Sequence, residues 1–377
     1  MVQQDRLVEH FISLVRVDSE TKNEREICDV LTAQFEALGL SVEEDDAAAK
    51  TGHGAGNLIV KLPANGAEDA VTIFFTSHMD TVTPGQGIKP QIDADGYIRS
   101  DGTTILGSDD KAGLAAIFEA IRVLKEQNIA HGPIQFIITV GEESGLVGAR
   151  AFDGSKLEAK FGYALDSNGE IGSIAVAAPT QAKIQIELFG KSAHAGVNPE
   201  AGISAIQVAA KAISRMPLGR IDHETTANIG KFEGGGATNI VCDYVKLDAE
   251  ARSIVQHKVD AQVEAMKQAV EAVAAEYGAR ANFESTIIYP AYSYADGDPV
   301  VELAKTAISN IGGTPRLFHS GGGSDANIFN GFGVPTVNLA VGYEEIHTTK
   351  ERIKVEDLVK TTELVLEIMK LAAAQKA

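Results

Sequence analysis

Residues 74–80 read Phe-Phe-Thr-Ser-His-Met-Asp, an apolar run that ends in His-x-Asp. A short apolar run of this kind is typical of a buried β-strand. Side chains alternate along a strand, so His78 and Asp80 face the same way while Met79 faces the opposite side. The sequence therefore predicts an imidazole and a carboxylate side by side at the tip of a strand.

Composition limits the functions that the chain can have. Its 377 residues are too many for one ordinary domain and sufficient for two, each with its own core. The net charge of −19 at pH 7 argues against nucleic acid or an anionic membrane as the main partner. No apolar run approaches the ~20 residues of a membrane span, and residues 1–10 lack the apolar core of a signal peptide. We therefore expect a cytoplasmic protein.

Short apolar runs alternate with helical patterns in the first part of the chain and again near its end. This alternation predicts an α/β fold with a mostly parallel sheet flanked by helices. Asn23 with Glu26 resembles a capping box at the start of a helix. The predicted strands are 58–60, 71–76, 134–140, 161–165 and 336–341, and the predicted helices include about 111–126, 300–311 and 355–371.

The pattern changes between residues 178 and 290. Ile184, Ile186 and Leu188 alternate with polar residues, as in a sheet with one face in water. We predict an inserted α+β domain over residues 178–290, with residues 1–177 and 291–377 forming the domain that surrounds it. Within the insertion, the patterns predict strands at 227–232, 239–251 and 283–289 and helices at about 203–215 and 258–277.

Five metal-capable side chains lie at predicted strand ends or close to them. In open α/β sheets, ligand sites form outside the carboxyl ends of the strands. Two imidazoles and three carboxylates suit a pair of divalent cations if one carboxylate bridges them. Taken singly, each residue has an ordinary explanation, such as a helix N-cap for Asp109. The five residues are His78, Asp109, Glu143, Asp166 and His347.

Glu142 directly precedes the metal-capable Glu143. Water held between two cations has its pKa lowered toward ~7. A neighbouring carboxylate that binds no metal can take the proton of this water and pass it to the leaving amine. Glu143 cannot do so while its lone pairs hold metal. The sequence therefore predicts Glu142 as the general base.

Five ordered blocks of the sequence resemble the signatures of the di-zinc exopeptidases, which include peptidase T, carboxypeptidase G and aminoacylase. The Asp-Asp-Lys-Ala-Gly form of the second block is most similar to peptidase T. The resemblance covers nearly the whole chain. The blocks are His78-Met79-Asp80, Ser108-Asp109-Asp110-Lys111, Gly141-Glu142-Glu143-Ser144-Gly145, Ala164-Leu165-Asp166 and Ile346-His347-Thr348.

This resemblance implies a di-metal catalytic domain with an inserted lid or dimerisation domain. His78 and Asp166 would bind one zinc ion. Glu143 and His347 would bind the other, and Asp109 would bridge the two. Such a mixed set of ligands would also bind cobalt or manganese.

The resemblance also implies roles outside the metal set. Asp80 would hydrogen-bond the histidine two residues before it and fix its tautomer. His194, in a Gly-Lys-Ser-Ala-His-Ala-Gly segment, would hydrogen-bond the developing oxyanion. Asn239 and Arg252 match substrate-anchoring positions, and an arginine can hold a carboxylate with two parallel hydrogen bonds. Ser324, in the late glycine-rich loop, is a further candidate for substrate binding.

That loop departs from peptidase T, which carries an arginine just before Gly-Gly-Thr-Asp. Here residues 320–325 read Ser-Gly-Gly-Gly-Ser-Asp. The resemblance therefore does not imply strict specificity for tripeptides. Five of the other histidines lie in polar helix or loop patterns and are predicted at the surface: His10, His53, His131, His223 and His257. No position is predicted for His319, near the glycine-rich loop.

The leading hypothesis is a cytoplasmic di-zinc metallopeptidase that removes the N-terminal residue from short peptides. One alternative is an amidohydrolase of the same family, acting as a carboxypeptidase or as a deacylase of N-acyl amino acids. Another is a catalytically silent protein that binds metal or peptide, although such a protein would have no need of a base at Glu142. The expected partners are short peptides, with neither nucleic acid nor membrane, and a homodimer through the inserted domain is an option.

Overall fold

Apolar side chains at helical spacing mark the helices of the computed structural model, which describes residues 1–376. In α1, for example, Leu7, Phe11 and Leu14 are buried on one face. The helices are α1 Gln4–Val15, α2 Arg25–Ala37, α3 Ala47–Thr51, α4 Ser108–Glu126, α5 Val147–Ala151, α6 Ala205–Arg215, α7 Gln256–Tyr277, α8 Pro299–Asn310, α9 Asp325–Gly331 and α10 Val355–Ala372.

The strands fall into two groups by burial. Strands 73–78 and 134–139 of the central sheet are buried at every residue, whereas strand 180–189 of the other sheet alternates between buried and exposed residues over much of its length. The strands are β1 Ser41–Glu44, β2 Leu58–Leu62, β3 Ile73–His78, β4 Gln91–Ile92, β5 Tyr97–Arg99, β6 Ile134–Thr139, β7 Phe161–Ser167, β8 Ser173–Ala178, β9 Thr180–Phe189, β10 Gly219–Arg220, β11 Thr225–Gly234, β12 Tyr244–Ser253, β13 Arg280–Tyr289, β14 Tyr292–Ser293, β15 Arg316–His319, β16 Thr336–Ala340 and β17 Arg352–Lys354.

The first compact unit comprises residues 1–177, 294–320 and 324–376 and is built on one large sheet. Its strands run in the order β1-β2-β6-β3-β7-β16-β8, and β15 pairs with β8. Neighbours β6, β3, β7 and β16 are parallel, while β2 and β8 join them antiparallel. The predicted α/β fold with a mostly parallel sheet is confirmed. Parallel strands end at one edge of a sheet, and this edge carries the side chains discussed below.

Helices cover both faces of this sheet. Phe75 faces Phe136 and Tyr163, with ring centroids 6.2 and 5.9 Å apart. Phe74, one residue earlier, points to the other face and meets Phe329 of α9 at 5.0 Å. Both phenylalanines of β3 are fully buried, and full burial of such a side chain contributes about 1.5–3 kcal/mol. The strand that ends in His78 is therefore fixed from both sides.

The second compact unit comprises residues 178–293 together with 321–323; the sequence prediction placed the inserted domain at 178–290. Its antiparallel sheet has the order β10-β11-β12-β9-β13. Ile186 and Leu188 of β9 are buried in the same apolar cluster as Val208 of α6 and Met266 of α7. Polar side chains such as Lys183 occupy the opposite, exposed face of β9.

Two predictions about local structure are wrong. Helix α2 begins at Arg25 with Glu24 as its N-cap, and Asn23 forms no capping box. The buried Glu24 carboxylate instead accepts hydrogen bonds from the amides of Lys22 and Gly54, which fixes the chain before the helix. The strand predicted from Asn239 begins only at Tyr244.

Three of the histidines that were predicted at the surface are buried: His10, His53 and His131. His10 and His53 have polar partners distant in sequence, whereas His131 Nδ1 lies 2.8 Å from the carbonyl of the next residue, Gly132. His10 Nε2 lies 2.7 Å from Gln34 Oε1, and His53 Nε2 lies 3.0 Å from Ser144 Oγ. No helix within residues 1–376 is both long and apolar enough to cross a bilayer.

His10 provides a test of the packing between α1, α2 and α4. Burial, assisted by the positive charge of Arg122, lowers the pKa of His10 to about 4 from 6.5. Between these values the unfolded chain binds more protons than the folded one, so acidification destabilises the fold. We expect His10 to account for about 2 kcal/mol of the unfolding free energy lost between about pH 7 and pH 5.

The measurement is urea unfolding of the wild type and of His10→Gln at both pH values. A chelator is added so that metal binding does not contribute to the measured stability. The variant should lose about 2 kcal/mol less than the wild type on acidification. His223→Gln is the matched control, because the His223 side chain is 82% exposed. Equal pH dependence in the wild type and His10→Gln would show that the burial of His10 does not affect acid stability.

Candidate metal centre and active site

Three polar side chains reach one edge of the central sheet from the ends of neighbouring strands. His78 is the last residue of β3, and Asp166 lies near the end of β7, which is parallel to β3. Glu143 follows β6, the parallel neighbour on the other side of β3. Because parallel strands end at the same edge, the strand order alone brings these residues together.

Two loops supply the remaining members of the predicted metal set. Asp109 lies at the start of α4, where Asp109 and Asp110 have non-helical dihedral angles and are joined by a cis peptide bond. His347 lies in the loop between β16 and β17 and has a φ of +62°. Both loops belong to the first unit, so its two chain segments meet at this edge.

Asp109 lies between the two histidines. Its Oδ1 is 3.1 Å from His78 Nε2, and its Oδ2 is 3.3 Å from His347 Nε2. His78 Nε2 is also 3.6 Å from Asp166 Oδ1, and His347 Nε2 is 3.0 Å from Glu143 Oε1. The structure thus forms two triads of potential ligands, His78–Asp109–Asp166 and Asp109–Glu143–His347, each with donor atoms within 4.8 Å of one another. The two triads share Asp109.

The chemistry of these donors fits two divalent cations. Imidazole and carboxylate together suit zinc, and also manganese or cobalt. The site already favours positive charge, since hydrogen bonds to Asp109 and Glu143 raise the pKa of His347 to about 10. Burial disfavours protonation of His78, but its hydrogen bonds to carboxylates, Asp109 foremost, outweigh burial and raise its pKa. Cations could take the place of these protons.

Glu142 lies beside the two triads without belonging to either. Its carboxylate does form a third group with His78 and Glu143, again within 4.8 Å. Burial, followed by the negative charge of Asp166, raises the pKa of Glu142 well above its usual range. A carboxylate with a high proton affinity close to the cluster suits the predicted role of general base.

Asp80 connects the strand end to the glutamate turn. Its carboxylate accepts hydrogen bonds from the amides of Glu142 at 3.0 Å and Glu143 at 3.3 Å. The carboxylate is 3.5 Å from His78 Nδ1, whereas the Asp80 backbone carbonyl is only 2.9 Å from that nitrogen. The histidine is therefore oriented mainly by the carbonyl, and the side chain mainly holds the turn.

Several residues around the site were not predicted from the sequence. Tyr343 donates a hydrogen bond to Asp166 Oδ1 at 3.1 Å. The Asn338 amide bonds both the backbone nitrogen and the backbone oxygen of Asp166. Asp325 is buried and accepts a hydrogen bond from Thr139. Asn338 and Tyr343 lie in and just after β16, so the strand-end argument that found Asp166 could also have found them.

The predicted substrate-binding Ser324 has a role within the fold. It is the N-cap of α9 and forms a capping box with Asn327. Its hydroxyl also accepts a hydrogen bond from Asn338 at 3.1 Å, and the residue is buried. A role of Ser324 in substrate binding stays a prediction.

In the second unit, the loops of His194 and Asn239 are neighbours. The Ala195 amide donates to the Asn239 carbonyl at 2.9 Å. His194 is exposed, and its Nδ1 accepts hydrogen bonds from the amides of Gly196 at 3.1 Å and Val197 at 3.2 Å. A neutral imidazole that accepts at Nδ1 carries its hydrogen on Nε2. This loop therefore prepares Nε2 as a donor.

Arg252, the predicted anchor for a substrate carboxylate, is paired with a carboxylate of its own strand. Its Nε and Nη2 lie 2.8 and 3.1 Å from the two carboxylate oxygens of Glu250. Its Nη1 donates to the Gly321 carbonyl at 3.4 Å. Gln181 supports the pair through a 2.7 Å hydrogen bond to Glu250. The arginine is thereby fixed along one side of its guanidinium.

A further acidic group of the second unit offers ligand atoms at similar spacing. Asp222, His223 and Glu224 have donor atoms within 4.8 Å of one another. The Lys258 ammonium lies 2.9 Å from Asp222 and also pairs with Glu224. Its positive charge already balances these carboxylates, so this group resembles an ordinary ion-pair cluster.

The sequence also matches a known protein family. Residues 74–371 match the family described as peptidase family M20/M25/M40. The chain is 62% identical over 373 residues to the uncharacterized protein YqjE of Bacillus subtilis strain 168, with 99% of this chain and 100% of YqjE covered.

Two crystal structures resemble the whole chain. Aminopeptidase PepT from Bacillus cereus is 64% identical, with a TM-score of 0.94 and 99% of each chain covered. A tripeptidase from Staphylococcus aureus is 49% identical, with a TM-score of 0.96 and 100% of each chain covered. The resemblance to peptidase T inferred from the five sequence blocks is confirmed.

The sharing of Asp109 leads to a prediction for metal binding. Asp109→Asn should weaken binding at both triads, because it removes a negative charge from each. Asp166→Asn should weaken one. Each loss should exceed the roughly 10–100-fold typical when only a hydrogen-bonding partner of a ligand is lost. Calorimetric titration of zinc into the metal-free variants measures both affinities, with Asp222→Asn as the control outside the site. If Asp109→Asn weakened a single equivalent, Asp109 would not serve both triads.

Proposed function

The chain belongs to peptidase family M20/M25/M40, and we propose that it is a di-metal aminopeptidase that removes the N-terminal residue from short peptides such as tripeptides. The observation that carries this proposal is the pair of ligand triads that share Asp109 and have Glu142 beside them. The names of the two similar structures, an aminopeptidase and a tripeptidase, support the choice of substrate.

We assign the cations to the two triads. His78 and Asp166 would hold one, Glu143 and His347 would hold the other, and Asp109 would contact both. Zinc is the proposed metal, with cobalt or manganese as substitutes. When bound, two divalent cations supply positive charge that lowers the pKa of the attacking water and stabilises the oxyanion.

Glu142 moves the protons in the proposed reaction. It accepts a proton from the attacking water as the water oxygen bonds to the carbon of the first peptide carbonyl. It then gives this proton to the peptide nitrogen as the C–N bond breaks. The products are a free amino acid and a peptide shortened by one residue, and Glu142 returns to its starting charge.

His194 would donate a hydrogen bond to the oxyanion that forms during attack. Its loop supports this role, because the amides of Gly196 and Val197 occupy Nδ1 and leave the hydrogen on Nε2. A donor that is oriented before reaction need not reorganise during it, which is the basis of oxyanion stabilisation. Arg252 and Asn239 would hold the peptide, with Arg252 directed at its C-terminal carboxylate.

A substrate panel tests the proposed function directly. Free tripeptides, dipeptides, N-acetylated tripeptides, C-terminally amidated tripeptides and N-acyl amino acids are assayed with added zinc, cobalt or manganese. We expect release of the N-terminal residue from free tripeptides, slower cleavage of amidated ones and no cleavage after N-acetylation. Release of C-terminal residues would show a carboxypeptidase, and preferred hydrolysis of N-acyl amino acids would show a deacylase; either result would contradict the aminopeptidase proposal. If no substrate is cleaved with any metal, the protein would be a catalytically silent protein that binds metal or peptide.

Glu142→Gln separates the general base from the ligands, because the side chain keeps its size and loses its charge. We expect the rate on the best peptide to fall by roughly 10²–10⁴, while both equivalents of metal are retained. Glu143→Gln is the paired variant and should lose one equivalent. Loss of metal from Glu142→Gln in elemental analysis would make Glu142 a ligand, as the third donor group allows.

His194→Ala tests the proposed oxyanion donor. Loss of one such donor should lower kcat by roughly 10²–10³ and leave metal content unchanged, because His194 lies in an exposed loop of the second unit. His223→Ala, which removes a mostly exposed histidine of the same unit, is the control. An unchanged kcat in His194→Ala would reduce His194 to an ordinary surface residue.

A further inference from the structure

Glu351 is a buried carboxylate that binds the segment leading to Asp109. Its Oε2 accepts hydrogen bonds from the amides of Leu106 and Gly107, both at 2.8 Å. Its Oε1 accepts hydrogen bonds from Ser108 Oγ at 2.6 Å and from the Asp109 amide at 3.0 Å. Because Glu351 is 1% exposed, water does not compete for these bonds.

The segment that Glu351 binds, residues 106–109, departs from helical geometry although α4 begins at Ser108. Gly107 has a φ of +75°, and Asp109 has a ψ of 100° where a helix would require a negative value. Amides before and within the first turn of a helix have no partner inside that helix. The Glu351 carboxylate supplies these partners, so it holds the backbone in the conformation that directs the Asp109 side chain.

Glu351 also belongs to the loop that carries His347. Two backbone hydrogen bonds between Glu344 and Arg352 close this loop at its base. Near its tip, the Glu351 amide donates to the Thr348 carbonyl at 3.2 Å. His347 itself has a φ of +62°, a conformation that residues other than glycine adopt only when the surrounding structure enforces it.

One side chain therefore ties together two segments that are far apart in sequence. The Asp109 segment and the Glu351 loop each carry a member of the triad Asp109–Glu143–His347. Asp109 Oδ2 and His347 Nε2 are 3.3 Å apart. In the other triad only Asp109 depends on Glu351, because His78 and Asp166 lie on neighbouring buried strands.

We propose that Glu351 is a positioning residue that fixes Asp109 and His347 at the spacing required to hold one cation, and thereby sets the metal affinity of the Asp109–Glu143–His347 half of the site. It acts through these two ligands and touches neither substrate nor cation. Its effect on catalysis rests on the proposed function, whereas its effect on metal binding does not.

Zinc titration of metal-free Glu351→Gln tests the proposal. The amide keeps the size of the side chain but replaces one accepting oxygen with a donor, which opposes two of the four hydrogen bonds. We expect the affinity of the Asp109–Glu143–His347 half to fall roughly 10–100-fold and that of the other half to fall less. Parallel titrations of Glu143→Gln and Asp166→Asn assign each equivalent to its half.

Two further variants keep the result interpretable. Glu356→Gln makes the same chemical change on the exposed start of α10, where Glu356 pairs with Lys360, and should bind zinc like the wild type. Ser108→Ala removes only one of the four hydrogen bonds and should lower the affinity of the same half roughly two- to tenfold. If circular dichroism shows that metal-free Glu351→Gln does not fold, Ser108→Ala becomes the variant that tests the proposal.

Wild-type affinities in the folded Glu351→Gln, or equal losses in both halves, would overturn the proposal. So would an unchanged affinity in Ser108→Ala if that variant carries the test. Kinetics give an independent check, because excess zinc should restore kcat in Glu351→Gln and leave KM unchanged. A kcat that stays low in saturating zinc would give Glu351 a part in the reaction itself. If the wild type cleaves no peptide, the proposed function fails, and the titrations still decide the role of Glu351.

Discussion

Several carboxylates gathered in a buried site repel one another unless positive charge lies among them. Two unit charges 4 Å apart interact by about 4 kcal/mol at the effective dielectric constant near a protein surface. Asp109 lies at the centre of such a group of carboxylates, with a histidine on either side. The rest of the first unit must hold the cluster together against that repulsion. The cluster therefore suits the proposed cations, and its scaffold must keep the carboxylates close together.

The scaffold meets this demand in two ways. Buried parallel strands carry His78 and Asp166, and Asn338 and Tyr343 add hydrogen bonds to Asp166. Glu143 and Asp109, two of the other proposed ligands, lie on turns outside these strands, and buried carboxylates accept hydrogen bonds from the amides of those turns. Asp80 binds the turn of the two glutamates, and Glu351 binds the segment before Asp109. Ligands on strands and ligands on turns thus depend on different interactions.

Most of the secondary structure and the mostly parallel sheet follow from the sequence, although the predictions of a capping box at Asn23 and of a strand start at Asn239 are wrong. Periodicity predicts the sheet and its strands, and the strand-end rule places His78 and Asp166 at one edge. The sequence also groups Asp109, Glu143 and His347 with them as a metal-capable set, and the resemblance adds how the five residues divide between two zinc ions. The sequence fails where the partner is distant: Glu351 is 242 residues from the Asp109 amide that it binds. The same holds for His10, whose burial depends on a contact between helices.

In the proposed function, selectivity for a free C-terminus depends on which basic side chain binds the C-terminal carboxylate of the peptide. The glycine-rich loop of residues 320–325 lacks the arginine expected from the resemblance to peptidase T. It also has little room for a side chain at Gly323, where a Cβ would lie 2.3 Å from the Tyr289 ring. Arg252 therefore carries the proposed recognition without that second arginine. Since Glu250 engages Nε and Nη2 along one side, a substrate carboxylate would have to bind the remaining N–H groups at the end of the guanidinium. Glu250 therefore orients the arginine and limits the directions from which a peptide can approach it. A peptide carboxylate would then bind Arg252 in one fixed geometry.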